Sequence, residues 1–126
     1  MDLTLAEEIQ QTFCPDGRQP IVAIDVEDIE TMIDNGEDVR LVTLGADSVT
    51  ALVARLKTDP LLPSARKIAF ELIVARGYEF PFSDIAPLSD CLASLPNHPE
   101  ILWGCSRASQ PTRKLRLNIL TTSYSH

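Results

Sequence analysis

The sequence predicts a single α+β domain in which a four-stranded mixed sheet carries helices packed against it. Its 126 residues are close to the commonest size of one domain. Hydrophobic residues make up 44% of the chain, enough for a core. Helically spaced apolar segments alternate with strand-like segments, and two successive strands end the chain. Such alternation followed by a strand pair indicates one mixed sheet with helices packed on it, here as a two-layer sandwich.

Two helices open the chain. The first is predicted by apolar residues at helical spacing: Leu5, Ile9 and Phe13. A Pro-Asp-Gly turn follows, so residues 1–20 form an N-terminal helix and linker, and residues 21–126 form the main module. An apolar, strand-like run then ends at Asp25, where the second helix begins; it continues to about Asn35.

Strands and helices alternate through the rest of the module. The predicted strands are Val39–Gly45, Lys67–Gly77, Glu100–Cys105 and Lys114–Thr122. The predicted helices between them are Asp47–Thr58 and Ser83–Ser94. The continuous apolar character of the 67–77 strand predicts that both of its faces are buried. We expect the last two strands to form a closing hairpin.

Composition excludes several classes of function. A formal net charge of −7 argues against nucleic-acid binding, which needs a basic surface. No apolar run approaches the roughly 18 residues that span a bilayer, and the acidic N-terminus does not resemble a secretory signal, so we expect a cytoplasmic protein without membrane attachment. Cys14, Cys91 and Cys105 form no C-x-x-C pair and histidine is scarce, so we expect reduced thiols, no metal and no cofactor.

The acids at the start of the second helix are the candidate functional residues. Asp25 and Asp28 lie three positions apart on one helical face, with Glu27 between them. Paired carboxylates at an exposed helix start can cap backbone N–H groups, hold a cation or polarise water, and an exposed pair can also contact a partner. Capping and partner contact are compatible, because a capped helix start displays a carboxylate rigidly.

Three segments of the chain, in order, resemble the C-terminal domain of FtsZ, the bacterial tubulin-like cell-division GTPase. They read PIVAIDVEDIETMI at 20–33, TDPLLPSARKIAFELIVARG at 58–77 and EILWGCSRASQPTRKLRLNILTT at 100–122. No single motif is stringent, and the strength of the resemblance lies in the shared order over about four-fifths of the chain. The resemblance implies the FtsZ/tubulin C-terminal-domain fold.

The resemblance also implies a role for the acidic loop. In the FtsZ family this loop enters the GTP pocket of the next filament subunit, where an asparagine and two aspartates position the attacking water. Asp25 and Asp28 match the aspartates, Ala23 stands in place of the asparagine, and Pro20 in place of a glycine. Losing one polarising group typically costs about 10²- to 10³-fold in rate, so we expect little catalysis in trans.

No glycine-rich phosphate-binding loop occurs, because each of the five glycines is isolated. We therefore expect a non-catalytic interaction module that contacts an FtsZ/tubulin-like subunit or a division-associated protein through Asp25, Glu27 and Asp28. One alternative is a small-molecule-binding or enzymatic homo-oligomer, with Arg66, Arg76 or Arg107 at a subunit interface. Another is a degenerate relic that retains only the fold. Oligomeric state stays open.

Overall fold

The structure, a computed structural model, describes residues 5–13, 19–33, 37–75, 82–108 and 114–124. The helices are α1 (Leu5–Phe13), α2 (Val26–Met32), α3 (Val49–Lys57) and α4 (Ala86–Ala93). The strands are β1 (Gln19–Val22), β2 (Glu37–Ala46), β3 (Lys67–Val74), β4 (Glu100–Arg107) and β5 (Leu115–Tyr124). Short 3-10 turns span Leu62–Ser64 and Phe82–Ile85. Parts of the predicted elements lie outside the described ranges. They are residues 3–4 at the start of the first helix, 34–36 at the end of the second helix, 76–77 at the end of the 67–77 strand, and the 14–18 linker.

All described strands belong to one mixed sheet with the order β1-β4-β3-β5-β2. The central strand β3 pairs in parallel with β4 and antiparallel with β5. The outer strands β1 and β2 pair antiparallel with β4 and β5, respectively. Every residue of β3 is buried, as its continuous apolar sequence predicted. The prediction of a single α+β domain with a mixed sheet is confirmed.

Two predicted details of the sheet are wrong. The sheet has a fifth strand, β1, formed by the apolar run before Asp25; β1 has only four residues, and a run that short gives no periodicity from which to predict a partner. The expected closing hairpin is also absent among the described strands, because β3 lies between β4 and β5. Both edges of β3 need a hydrogen-bonded partner, and β4 and β5 take one edge each.

Helices cover both faces of the sheet, so the predicted two-layer arrangement is wrong as well. Ile68 and Phe70 of β3 point into a core that also contains residues of α3 and α4. Ala69 points the other way, into a core that contains Ile9 of α1 and Ile29 of α2. Successive strand residues alternate between faces, and both faces of β3 are apolar, so each face requires its own helices.

Buried Asn118 connects α1 to the sheet through hydrogen bonds of its side-chain amide. Its Nδ2 donates to the backbone oxygen of Thr12, 3.0 Å away, in the last turn of α1. Its Oδ1 accepts a hydrogen bond from the Thr43 hydroxyl on β2 at 2.9 Å. The last carbonyls of a helix have no intrahelical donor, so the amide of Asn118 satisfies one of them.

Other side chains that the sequence makes conspicuous have plain surroundings. Phe70 is buried in the core, and the ring of the half-buried Trp103 stacks on it with centroids 6.2 Å apart. His98 is an exposed turn residue with a φ of 48°. Cys105 is buried, Cys91 is half-buried and neither forms a disulfide, whereas Cys14 lies outside the described residues. No helix in the described ranges has the length and apolar character needed to cross a membrane.

Candidate interaction surface

Asp25 caps α2. Its backbone is extended, and its Oδ1 accepts a hydrogen bond from the backbone N–H of Glu27 at 2.8 Å. Its own carbonyl accepts the first helical bond, from the N–H of Ile29 at 3.2 Å. The capping interpretation is therefore correct for Asp25, and one of its carboxylate oxygens serves the helix start.

Gly104 of β4 supports the loop that leads into α2. A β-carbon built on Gly104 would lie 2.7 Å from Cβ of Ile24 and 2.9 Å from the carbonyl oxygen of Val22. Real side chains do not tolerate such contacts, so only glycine lets the loop pass this close to the strand. Ile24 is thereby buried, while Ala23 and Asp25 on either side of it are exposed.

Asp28 has different surroundings from Asp25. It is exposed and lines a cleft of about 580 Å³ between α2 and the beginning of β3 and β4. The cleft is lined by seven residues: Asp28, Thr31, Met32, Lys67, Glu100, Ile101 and Leu102. Asp25 and Glu27 do not line the cleft, although both are exposed and lie close to Asp28 in the sequence. The predicted acids thus form an exposed helix start, but only Asp28 borders a concave surface.

Lys67 also lines this cleft, with only 9% of its surface exposed. Its ammonium group donates a hydrogen bond to the carbonyl oxygen of Met32, the last residue of α2. A cation is favourable at this end of a helix because the last carbonyls carry partial negative charge. Lys67 and Glu100 were not predicted as part of a site; the signal in the sequence is a charged residue at the first position of each of two apolar strands.

An ion pair stabilises the opposite edge of the sheet. Arg40 of β2 binds Asp59 in a bidentate arrangement, with nitrogen–oxygen distances of 2.8 and 3.2 Å. Burial alone would raise the pKa of Asp59, but hydrogen bonds from Arg40 and from the backbone of Leu61 outweigh it and lower the pKa. Leu61, which is 53% exposed, borders a smaller cavity of about 270 Å³ at this edge.

The two described thiols, Cys91 and Cys105, have no features of a reactive site. Burial and the charge of Glu71 raise the pKa of Cys105 to about 11, despite a lowering influence of Arg107. Burial also raises the pKa of Cys91. Because the thiolate is the nucleophile, both thiols are less reactive than a free cysteine. Among the described residues, no three histidine, cysteine or acidic side chains are grouped so as to hold a metal ion.

Arg66 and Arg107, the two described arginines of the alternative hypothesis, do not converge within one chain. Arg66 precedes β3 at the end of the sheet where Lys67 pairs with Glu100, whereas Arg107 lies at the other end, beside Val74. At about 3.3 Å per residue the two positions are roughly 25 Å apart along the strands. Arg76 lies outside the described residues.

The fold is that of the C-terminal domain of FtsZ and tubulin-like proteins, as the sequence resemblance implied. An FtsZ dimer from M. jannaschii matches 90% of this chain with a TM-score of 0.55 and 14% identity. A mutant of the same FtsZ matches 90% with a TM-score of 0.62 and 15% identity. GDP-form protofilaments of TubZ from Bacillus thuringiensis serovar israelensis match 88% with a TM-score of 0.62 and 7% identity.

The chain spans about a third of the length of these solved structures, between 31% and 35%. At identities this low the likeness establishes a shared fold. No model of a protein family matches the sequence, and no curated protein matches it.

Proposed function

We propose that this protein is a non-catalytic interaction module that takes part in, or modulates, the assembly of FtsZ/tubulin-like filaments in bacterial cell division. Its partner is an FtsZ-type subunit or a division-associated protein. The observation that carries the proposal is the fold, because it matches an FtsZ dimer and TubZ protofilaments over about nine-tenths of the chain. Those structures are themselves assemblies, which makes contact between subunits the activity to expect of this fold.

The exposed start of α2 is the contact surface that we propose. Asp25, Glu27 and Asp28 are all exposed there, at the end of a loop that passes directly against Gly104 of the sheet. The cap formed by Asp25 fixes the direction of the first turn of α2. Three acids on a rigid turn favour a basic surface on the partner, because complementary charge increases both the association rate and specificity.

We propose that the module has no GTPase activity of its own. Each of its glycines is isolated in the sequence, so the chain offers no glycine-rich loop whose N–H groups would hold phosphate. Ala23 supplies no amide in the position that the FtsZ resemblance gives to an asparagine. A contribution to hydrolysis on a neighbouring subunit would rest on Asp25 and Asp28 alone, and one oxygen of Asp25 already accepts the capping bond.

The test is filament assembly in the presence of this protein. FtsZ purified from the same cell is polymerised with GTP, while sedimentation measures polymer and phosphate release measures turnover. We expect saturating amounts of the protein to change the pelleted polymer and turnover by about twofold or more, and a double variant, Glu27→Lys with Asp28→Lys, to lose the effect. The change Glu8→Lys, on an exposed position of α1, is the matched control and should keep the effect.

Two results would contradict the proposal. If the wild-type protein at saturation changes neither polymer nor turnover, it is not an assembly module. If the α2 variant and the Glu8→Lys control behave alike, the start of α2 is not the contact.

A further inference from the structure

The outer edge of β4 is only partly covered. Strand β1 pairs with Cys105, Ser106 and Arg107 at the end of β4. In the part of the chain that the structure describes, no strand pairs with the outer side of 100–103. The side chains of Ile101 and Trp103 are correspondingly half-buried, in contrast to the buried residues that follow them. An uncovered strand edge is a template for pairing with another chain.

The hydrogen-bonding groups of this edge are defined by the ladder to β3. The N–H of Glu100 donates to the carbonyl oxygen of Arg66 at 3.1 Å, so Glu100 directs its backbone groups towards β3. Neighbouring residues in a strand direct their groups to opposite sides. Ile101 and Trp103 therefore present their N–H and C=O groups outward, which is a four-group pattern that an added strand can match.

The acidic cleft runs beside this edge. Asp28 on α2 and Glu100 on β4 are both exposed, and neither makes a salt bridge with any described residue. Lys67 is buried, and its ammonium group donates a hydrogen bond to the last carbonyl of α2. The other charged groups of the lining are the two carboxylates. Met32 and Leu102 add apolar surface to the lining. A long cationic side chain fits this composition, because its stem is apolar and its head is charged.

We propose that an extended segment of a partner protein adds as a strand to the edge of β4 at 101–103 and inserts a lysine or arginine side chain into the cleft between Asp28 and Glu100. Backbone hydrogen bonds to Ile101 and Trp103 supply affinity, and the charged cleft selects the residue. Glu100 also disfavours non-specific pairing at this edge, because an added strand without a basic residue would place an uncharged side chain beside the Glu100 carboxylate.

Charge argues against a second copy of this chain as the occupant. The chain carries a formal net charge of −7, and pairing of two β4 edges would bring the acidic clefts of both copies together. The basic residues Lys114 and Arg116 do not offer a free segment. Arg116 lies in β5, which is paired on both sides by β2 and β3, and the carbonyl oxygen of Lys114 accepts a hydrogen bond from the N–H of Ala75. Asp28 belongs both to this cleft and to the surface proposed for filament assembly, but strand addition uses the backbone of β4 at 101–103, so Ile101→Pro tests it separately from assembly.

The probe is a fluorescein-labelled heptapeptide of alternating threonine and valine with arginine at its centre, titrated into the full chain and followed by anisotropy. Its twin carries glutamate at the centre. We expect the arginine peptide to bind at least about tenfold more tightly than its twin, with an affinity that falls as salt is added. Neutralising the cleft with Asp28→Asn and Glu100→Gln should remove most of this difference.

Strand addition is tested through Ile101. Proline there removes an outward N–H while leaving the ladder to β3, so Ile101→Pro should weaken the arginine peptide about tenfold or more; Ile101→Val keeps the N–H and should not. Should the proline variant fail to fold, an N-methylated peptide on the wild-type protein removes peptide donors and should bind equally poorly.

Three results would overturn the proposal: no peptide binding up to about 1 mM, equal binding of the arginine and glutamate peptides, or binding that survives both Ile101→Pro and N-methylation. A dimer in analytical ultracentrifugation that Ile101→Pro dissociates would assign the edge to a second copy and would also overturn it.

Discussion

Replacing Gly104 with alanine tests whether the approach of the α2 loop to β4 holds the candidate surface in place. Glycine in a strand is normally unfavourable, and its replacement by alanine stabilises a protein by roughly 0.5–1 kcal/mol. Here the new β-carbon would meet Cβ of Ile24 at 2.7 Å and the oxygen of Val22 at 2.9 Å. Neither atom lies at the end of a flexible side chain, so the backbone of the loop must move.

Gly104→Ala should therefore destabilise the protein, whereas replacement of a strand glycine by alanine normally stabilises one. Overpacking of this kind costs about 1–3 kcal/mol, and each kcal/mol corresponds to roughly 3–5 °C in the melting temperature for a chain of this size. Urea unfolding monitored through Trp103 measures the change. The displaced loop also carries Asp25, so the N-cap of α2 should loosen and amide exchange of Glu27 should accelerate.

A double-mutant cycle identifies the contact. The change Ile24→Gly removes the β-carbon that lies 2.7 Å away, so it should cost less free energy of unfolding in the Gly104→Ala background than in the wild type. The reasoning is refuted if Gly104→Ala is as stable as the wild type, or if the two changes are simply additive.

Three further predictions concern single side chains. Asp25→Ala should lower the free energy of unfolding by about 1 kcal/mol through loss of the cap, whereas Asp28→Ala should change it little, and equal costs in urea unfolding would disprove the division of roles. The pKa of Asp59 is lowered in the folded protein, so its ionised carboxylate stabilises the fold at pH values above the ordinary pKa of 3.8. This stabilisation is lost as the pH falls through the lower pKa of the folded state. Asp59→Asn should therefore lose less stability than the wild type during acid titration followed by circular dichroism, and parallel curves would exclude the effect. Cys105, with a pKa of about 11 and 1% exposure, should resist iodoacetamide at pH 8 until the protein unfolds; rapid alkylation of its peptide in mass spectrometry would show that the strand opens.

Local patterns predicted most of the elements but not their partners. Both α3 and β3 are buried along a continuous segment of chain. Such burial leaves a local pattern in the sequence, seen in the helical spacing of Leu52 and Leu56 and in the unbroken apolar run of β3. Pairing depends on residues far apart in the chain. The last two strands are adjacent in sequence, yet each pairs with β3, which no local signal indicates.

The candidate surface divides in the same way. Capping by Asp25 was predictable because all the atoms involved lie within four residues. The cleft was not, since Asp28, Lys67 and Glu100 come from three separate elements and meet only after α2 lies across the sheet. Gly104 was likewise unremarkable in sequence, and its importance rests on a loop about eighty positions earlier.

The place of β5 has a consequence for how the chain acquires its structure during synthesis. β5, the last of the described strands in chain order, pairs with β3 on one side and with β2 on the other, so β2 has no described strand partner until β5 leaves the ribosome. Glu37 pairs with Tyr124 and Ala46 with Leu115, contacts that span most of the chain length. Such non-local pairing slows folding, and the described sheet closes only once β5 has been synthesised. A chain released before β5 is complete would expose both β2 and one edge of β3, so synthesis of residues 115–124 is the step that completes the described sheet.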